Sequence, residues 1–411
     1  MNPTDGLIPS ELQELVDAME GFIRAEVLGR HEAHAQLLDD PRRHFDESGR
    51  FVPEVVEMIR DLRAASSEAG FFNLAVPEHM GGAGLGYLAY YLAWERIYTL
   101  CEPRHWLAQF AISHWAYGPS VALDGLSEVA REKVWPELLS GRAILCFGMS
   151  EPDAGSDAMA MRTRAERVDD GWVLNGRKIW TTHAPIADWM IVLAVTDPEA
   201  SAARKGGISA FLVPTDAQGL DVHNIIRMWG DIGGTEGETS FTDVRVEPWQ
   251  LVGEEGKGFT VAMKGVSLGR VYNSARAVAT GTWALRKAID YSVERRTFGS
   301  PIADHQAVSH PLAEAAARLH AAHLVAINTA RLLDAGRPAR KEIAIMKYLA
   351  VEAANLAVDR AIQTHGAIGF TNELGFIDAL RSFRSLRVAD GADEILLRTV
   401  FSHLRKGDVE L

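Results

Sequence analysis

The segment RVADGADEI, residues 387–395, gathers three carboxylates around one glycine: Asp390, then Gly391, then Asp393 and Glu394. Acids in this arrangement either open a helix, where they meet the positive end of its dipole, or present a general base to a substrate proton. A second chemical stretch is CFGMSEPDAGSD, 146–157. An apolar strand-like run enters Ser150-Glu151-Pro152, and Ala154-Gly155-Ser156 then makes a tight turn. Its backbone N–H groups and hydroxyls suit a pyrophosphate or the polar rim of a planar ring; an ordinary strand exit is the plainer reading. Trp180-Thr181-Thr182 sets an indole beside hydroxyls at a strand end, suited to a flat ligand, although a core Trp is the simpler assignment. ERRTFG, 294–299, closes a helix with Arg295 and Arg296 in its last turn, placed for the helix dipole or for phosphate oxygens. QTHGAIGF, 363–370, ends an apolar helix, where Gly366 and Gly369 permit close approach of another surface; His365 reads as structural.

Other chemistries lack their residues. No HExxH or clustered Asp/His spacing points to a metal, and no GxSxG marks a nucleophile elbow. Difficult redox chemistry would therefore need an organic cofactor.

These segments need elements to hold them. Residues 11–140 carry helical periodicity, with Gly70 as a C-cap and a Gly-rich loop at 81–86. From 142, short runs rich in Val, Ile, Trp and Thr predict strands: AILCFGM, GWVLNGRKIWTT, WMIVLAVTD, ISAFLVP and SFTDVRV. Asn175–Gly176 is expected to form a type I′ hairpin turn. After Gly258 the chain returns to long, Ala-rich helices that predict close packing. The expected division is a helical domain at 1–141, a β domain at 142–253 and a helical bundle at 254–411. Helix–sheet–helix order without GxGxxG after a strand is not a Rossmann arrangement.

Composition narrows the function. Of 411 residues, 47% are hydrophobic and 24% charged, with room for a large core. A formal charge of -13 disfavours a nucleic-acid partner. No 18-residue uncharged apolar run predicts membrane insertion. The N-terminus lacks a basic start and an apolar signal core, and Cys101 and Cys146 are the only cysteines, so a reducing cytoplasm is expected.

Taken in order, PEHMGGAGL, MSEPDAGSD, GRKIWTT, ERRTFG with a following Gln, and QTHGAIGF resemble the motifs of the acyl-CoA dehydrogenase family over nearly the whole chain. The resemblance implies an α+β multidomain fold: an N-terminal helical domain, a middle β-sandwich or barrel-like domain, and a C-terminal four-helix bundle. It also implies FAD, an acyl-CoA substrate, an electron-transfer flavoprotein as acceptor, and a homotetramer (dimer of dimers) or homodimer. By motif, Phe147, Met149, Ser150, Gly155 and Ser156 would line flavin and substrate, with Trp180 and Thr182 at the isoalloxazine. Arg295, Thr297, Phe298 and Gln306 would touch a neighbour's FAD, as would Gln363, Gly366 and Ala367. Ala392 and Glu394 would meet cofactor, whereas Arg270, Ala389 and Gly391 would border substrate together with Ser156. Where straight-chain members carry Tyr-Glu-Gly-Thr, this sequence reads Ala389-Asp390-Gly391-Ala392. Asp390 thus takes the base's position, one methylene short, in an ADGxDE form similar to a distinct branch that includes longer-chain enzymes. Asp393 and Glu394 would cap the last helix. Ser267 stands three residues before Arg270, where the family often has an acid.

The function implied is α,β-dehydrogenation of a medium- to long-chain or branched acyl-CoA. The alternatives are an oxygen-using flavoenzyme of the same fold, such as a nitroalkane oxidase, and a flavin-free binding protein.

Overall fold

In a computed structural model describing residues 8–410, packing divides the chain into two compact units. One takes residues up to Gly29, Leu85–Ala108 and Gly269 onward; the other takes Arg30–Gly84 and Gln109–Leu268. Neither is contiguous, so the helices before residue 141 are shared between them.

The second unit is organised by one eight-stranded sheet. Its strands are β1 (Leu145–Gly148), β2 (Arg164–Val168), β3 (Gly171–Thr182), β4 (Trp189–Val195), β5 (Ile208–Pro214), β6 (Leu220–Ile226), β7 (Glu236–Val246) and β8 (Leu251–Val252). The spatial order is β6-β7-β3-β2-β4-β5-β8, with β1 parallel to β4. β4 and β5 are buried on both faces and read as unbroken apolar runs, whereas β6 is a polar edge. Leu145, Ile191, Leu193, Leu212 and Val252 pack with Trp135 and Leu138 into one core.

Arg63, on the helix Pro53–Glu68, is buried within this unit. Its guanidinium donates to the carbonyls of Gly141 (2.8 Å), Tyr117 (3.0 Å) and Ala143 (2.8 Å), fixing the chain that enters β1. Burial brings its pKa down to about 10.

The turn expected at Asn175–Gly176 does not form. β2 and β3 instead turn through Asp169–Asp170, with Val168 opposite Gly171. Asn175–Gly176 sits within β3, where the register against β7 shifts. Local Asn-Gly preference is overridden because Asn175 is bonded across the sheet to Asp243, Nδ2 donating at 3.0 Å and Oδ1 accepting from its amide at 2.9 Å. Glycine is required for another reason: a Cβ at 176 would lie 2.4 Å from Thr163 Oγ1, at φ 153°. Gly176→Ala is expected to destabilise the protein by about 1–3 kcal/mol, measured by urea unfolding.

The first unit is helical. Its elements include Ser10–Phe22, Gly86–Leu100, the Gly269-onward part of Gly258–Glu294, and Gln306–Asp334, Arg340–His365, Phe376–Leu386 and Asp393–Leu404. Alanines 277, 284, 288, 315, 322, 350, 354, 357 and 361 form its core with Phe376 and Phe383. A Cβ on Gly281 would sit 3.1 Å from Ala354 Cα, so two long helices touch nearly backbone to backbone. The helix Gly86–Leu100 is capped from far along the chain, since Asp334 accepts the amides of Tyr87 (2.6 Å) and Leu88 (3.0 Å). Among the described residues no helix is long and apolar enough to cross a membrane.

Candidate active site

The helix Phe376–Leu386 runs into a reversal before Asp393–Leu404, made by two successive left-handed residues, Asp390 (φ 53°) and Gly391 (φ 97°). Aspartate tolerates this region better than most residues, but it still costs energy. Side chains from two helices hold the reversal. Arg270 Nε donates to the Asp390 carbonyl at 3.0 Å, and Lys347 Nζ donates to the carbonyls of Gly391 (3.0 Å) and Leu386. Asn273 Nδ2 donates to the carboxylate itself, at Oδ2, over 2.6 Å. A Cβ at Gly391 would stand 2.8 Å from Arg270 Nη2, and its φ of 97° itself favours glycine.

Burial pushes the Asp390 carboxyl above its ordinary value, against the opposing pull of Arg270, Lys347, Asn273 and Arg276. Burial likewise lowers the Lys347 ammonium to about 8, with Asp393 and Asp390 resisting the change. A carboxylate that is desolvated yet ionisable is suited to act as a base.

Asp393 does not cap the last helix. Ala392 is the N-cap residue and offers no side-chain bond, while Asp393 is buried and accepts from Arg387 Nε at 2.8 Å. Arg387 also pairs with Glu352 at 2.9 Å, so this acid belongs to a structural ion network. Glu394 is exposed in the helix's first turn, where the dipole favours it. Ala389 is exposed at the reversal. Ser267 returns its hydroxyl to Met263 O, 3.2 Å away on its own helix.

In the sheet unit, β1 carries Phe147 and leads to Met149 and Ser150. Phe147 is half-buried edge-on to Trp115, with ring centroids 4.7 Å apart, and Met149 packs on the core. The tight turn is closed by reciprocal bonds between Glu151 and Ala154, of 3.0 and 3.1 Å, and Ser150 O accepts from Ile179 N at 3.0 Å. Gly155 and Ser156 are exposed, with open space where a Gly155 Cβ would be.

Beneath this loop lies a pair that sequence reasoning missed. Lys178 is fully buried, and its Nζ is 2.8 Å from Glu151 Oε1 and 3.1 Å from Met149 O. Glu151 also accepts the amides of Arg162 (2.6 Å) and Thr163 (2.9 Å). Burial lowers Lys178 to about 8 despite Glu151; Glu151 itself is held below the usual carboxylate range because Lys178 and these neighbours outweigh its burial. The available signal was alternation: Trp172, Leu174 and Lys178 share a face of β3, and a lysine on an inward face needs an acid.

Trp180 is not a core residue. The β3–β7 register shifts between Lys178 and Thr181, Trp180 takes φ 61°, and its indole is 52% exposed. Thr181 takes the buried position, and Thr182 is half-buried opposite Glu236. The bulge thus turns a flat aromatic face outward beside a hydroxyl.

The remaining residues lie elsewhere in the helical unit. Arg295 and Arg296 are not in a helical turn: the helix stops at Glu294, and Arg296–Thr297 pairs with Ser300–Pro301 in a small hairpin. Phe298 (φ 52°) and Gly299 (φ 88°) form its tip, with Phe298 99% exposed. Ile302 N donates to Arg295 O at 2.8 Å and Arg296 Nη2 to Gly299 O at 2.8 Å, and both arginines are exposed. Gln306 begins the next helix and is exposed. His365 stacks on Tyr291 at 4.4 Å, bringing exposed Gln363, Gly366 and Ala367 to the same end as the hairpin. Arg270 is 24 residues before Glu294 on one helix, about 36 Å away at the helical rise. The structure therefore assembles Asp390, Gly391 and Arg270 at one place and the Arg295–Gln306 and Gln363–Ala367 groups at another.

Within the sheet unit, the exposed indole at a bulge and the open turn at Gly155 fit the face and rim of a flat ring; within the helical unit, the exposed arginine-bearing hairpin fits phosphate oxygens. Among the described residues, no group of His, Cys, Asp or Glu could hold a metal ion.

Comparison with known proteins finds one family along nearly the whole chain. Residues 9–142 match the acyl-CoA dehydrogenase N-terminal domain, 146–244 its middle domain and 256–404 its C-terminal domain. The chain is 32% identical over 384 residues to the caffeyl-CoA reductase–Etf complex subunit CarC of Acetobacterium woodii, covering 92% of this chain and 97% of that protein. It is 35% identical over 335 residues to human mitochondrial short-chain specific acyl-CoA dehydrogenase, covering 82% and 80%. A glutaryl-CoA dehydrogenase from Mycobacterium smegmatis, solved in complex with FADH2, shares the fold with a TM-score of 0.80 at 23% identity, over 100% of this chain and 98% of that one. The chain belongs to the acyl-CoA dehydrogenase family.

Proposed function

We propose that this protein is an FAD-dependent acyl-CoA dehydrogenase that converts a medium- to long-chain or branched acyl-CoA to the trans-2-enoyl-CoA. The observation that carries the reading is the Asp390 loop: a carboxylate of raised pKa in a strained reversal held by Arg270, Asn273 and Lys347. Asp390 takes the α proton. Aspartate's shorter reach is met by backbone placement, with the left-handed turn and its clamps setting where the carboxylate ends. FAD, when bound, supplies the acceptor for the hydride leaving the β carbon.

Trp180 offers its exposed face to the ring system, with Thr182 beside it, and Phe147, Met149, Ser150, Gly155 and Ser156 form the neighbouring loop. Ala389 and Ala392 leave room beside the base, in keeping with a bulkier acyl group. Arg295, Thr297, Phe298, Gln306, Gln363, Gly366 and Ala367 serve the FAD of a second copy of the chain. The separation of about 36 Å along one helix supports that division, because one end of one cofactor cannot meet both groups. We therefore assign a homotetramer or homodimer. Domain boundaries near 141 and 253 follow the change from helices to strands and back.

An electron-transfer flavoprotein is the assigned electron acceptor, supported by the Etf-complex relative. That relative's name describes a reductase, so the same machinery is open to the reverse reaction. Two buried, unbridged cysteines support a reducing, cytoplasmic setting.

The test is anaerobic titration of the FAD-loaded protein with acyl-CoAs of varied length and branching and with acyl carrier protein thioesters. A medium- to long-chain or branched acyl-CoA should bleach the flavin most rapidly. Failure of every thioester to do so, with rapid oxygen consumption on a nitroalkane, would replace this reading with an oxidase that uses an aspartate base.

A further inference from the structure

Asn273 stands one turn beyond Arg270 on the helix Gly258–Glu294 and is 3% exposed. The cations at the reversal bond to backbone: Arg270 to the Asp390 carbonyl, Lys347 to those of Gly391 and Leu386. They set where the Asp390 Cα lies but leave its side-chain torsions free. Asn273 acts on the carboxylate itself, through Oδ2 at 2.6 Å. Its amide is neutral and lies on a rigid helix, so it restrains orientation without adding a charge.

We propose that Asn273 is a positioning residue for proton abstraction, holding Asp390 through Oδ2 so that Oδ1 is the oxygen that receives the substrate's α proton. This rests on the reading of Asp390 as the base and assigns its two oxygens different tasks. A short side chain has little slack, and a misplacement of about 1 Å can cost roughly a hundredfold in rate. The same bond stabilises the ionised carboxylate and keeps the base available against its burial. The charged groups around Asp390 are Arg270 and Arg276 from the same helix and Lys347 from Arg340–His365; Asp393 acts on Lys347 from the following helix. All four remain in an Asn273 variant.

The experiment compares FAD-loaded wild type, Asn273→Ala, Asn273→Ser and Asp390→Asn. Asn273→Ala should retain FAD and thioester affinity while flavin reduction slows by about tenfold to a hundredfold. The acid limb of its pH profile should rise by about one unit, the size expected for losing a hydrogen bond to a charged group. Infrared difference titration of the substrate-free holoprotein, referenced to Asp390→Asn, should show the Asp390 carboxyl shifted in the same direction. Asn273→Ser retains a donor and should recover part of both effects; if Asn273→Ala does not fold, Asn273→Ser carries the test with smaller shifts. A slower variant whose acid limb and carboxyl titration stay at wild-type positions would overturn the proposal and leave Asn273 a packing role. A fully active Asp390→Asn would instead overturn the base assignment, and this proposal with it.

Discussion

Asp390→Asn should lose flavin reduction by acyl-CoA by about a hundredfold to ten-thousandfold, the range supplied by a positioned general base, while gaining stability at neutral pH. The activity loss follows from removing the carboxylate that takes the proton. The stability gain follows from the direction of its pKa. Burial raises Asp390 in the folded protein despite Arg270, Lys347, Asn273 and Arg276. A raised carboxyl favours folding below its unfolded value, about 3.9, and that advantage is lost as pH rises through the folded value. At pH 7 the wild type therefore bears the net cost of ionising Asp390 in this desolvated setting, and the asparagine variant does not. Urea unfolding should show the variant more stable at pH 7, with the difference shrinking as pH falls toward the ordinary carboxylate range. Stopped-flow mixing under anaerobic conditions measures the rate. A base held in a costly environment predicts both effects together; a solvent-facing acid predicts neither.

Lys178→Met should be the most damaging single change to the sheet unit. It leaves Glu151 in the interior with two backbone amides and no counter-charge. Removing one partner of a buried pair costs about 3–5 kcal/mol. Lys178 also donates to Met149 O and stands two residues before the Trp180 bulge, so FAD retention should fall with stability. Adding Glu151→Gln should restore much of the loss, because the uncompensated charge is then gone. Urea unfolding of the two single variants and the double variant measures the coupling. Equal losses in Lys178→Met and in the double variant would contradict a burden borne by Glu151.

Elements written in local pattern were legible from sequence. The apolar runs of β1, β4 and β5 form strands, the Ala-rich segments form closely packed helices, and Gly70 (φ 82°) closes the helix Pro53–Glu68, with Phe71 N bonded to Ser66 O at 2.9 Å. Features decided by distant partners were not. Asn175–Gly176 carries a hairpin's local preference but answers to Asp243 and Thr163 across the sheet. Asp393 reads as a capping acid, yet Ala392 is the N-cap residue and Arg387 claims the Asp393 carboxylate. Arg295 and Arg296 follow a helix whose termination at Glu294 depends on a hairpin two residues long on each side.

The candidate site divides in the same way. Asp390 was found through a motif, because the family keeps its base at a recognisable place in the chain. Its clamps are distant in sequence: Asn273 lies 117 residues from Asp390, and Lys347 lies 44 residues from Gly391. Nothing in their local sequence marks them, since one is an amide within a helix and the other a lysine on an apolar face. Glu151 lies within the MSEPDAGSD motif, but its role depends on Lys178 beneath it, 27 residues further along the chain.

Solvent deuterium incorporation reports α-proton removal by Asp390 without flavin reduction. FAD-loaded wild type and Asp390→Asn would be incubated anaerobically in D2O with a CoA thioester whose β carbon cannot be oxidised, and the α position followed by NMR. Steady exchange is expected in the wild type and none above background in the variant, with both binding FAD and thioester. Exchange at the wild-type rate in Asp390→Asn would contradict the assignment of Asp390 as the base.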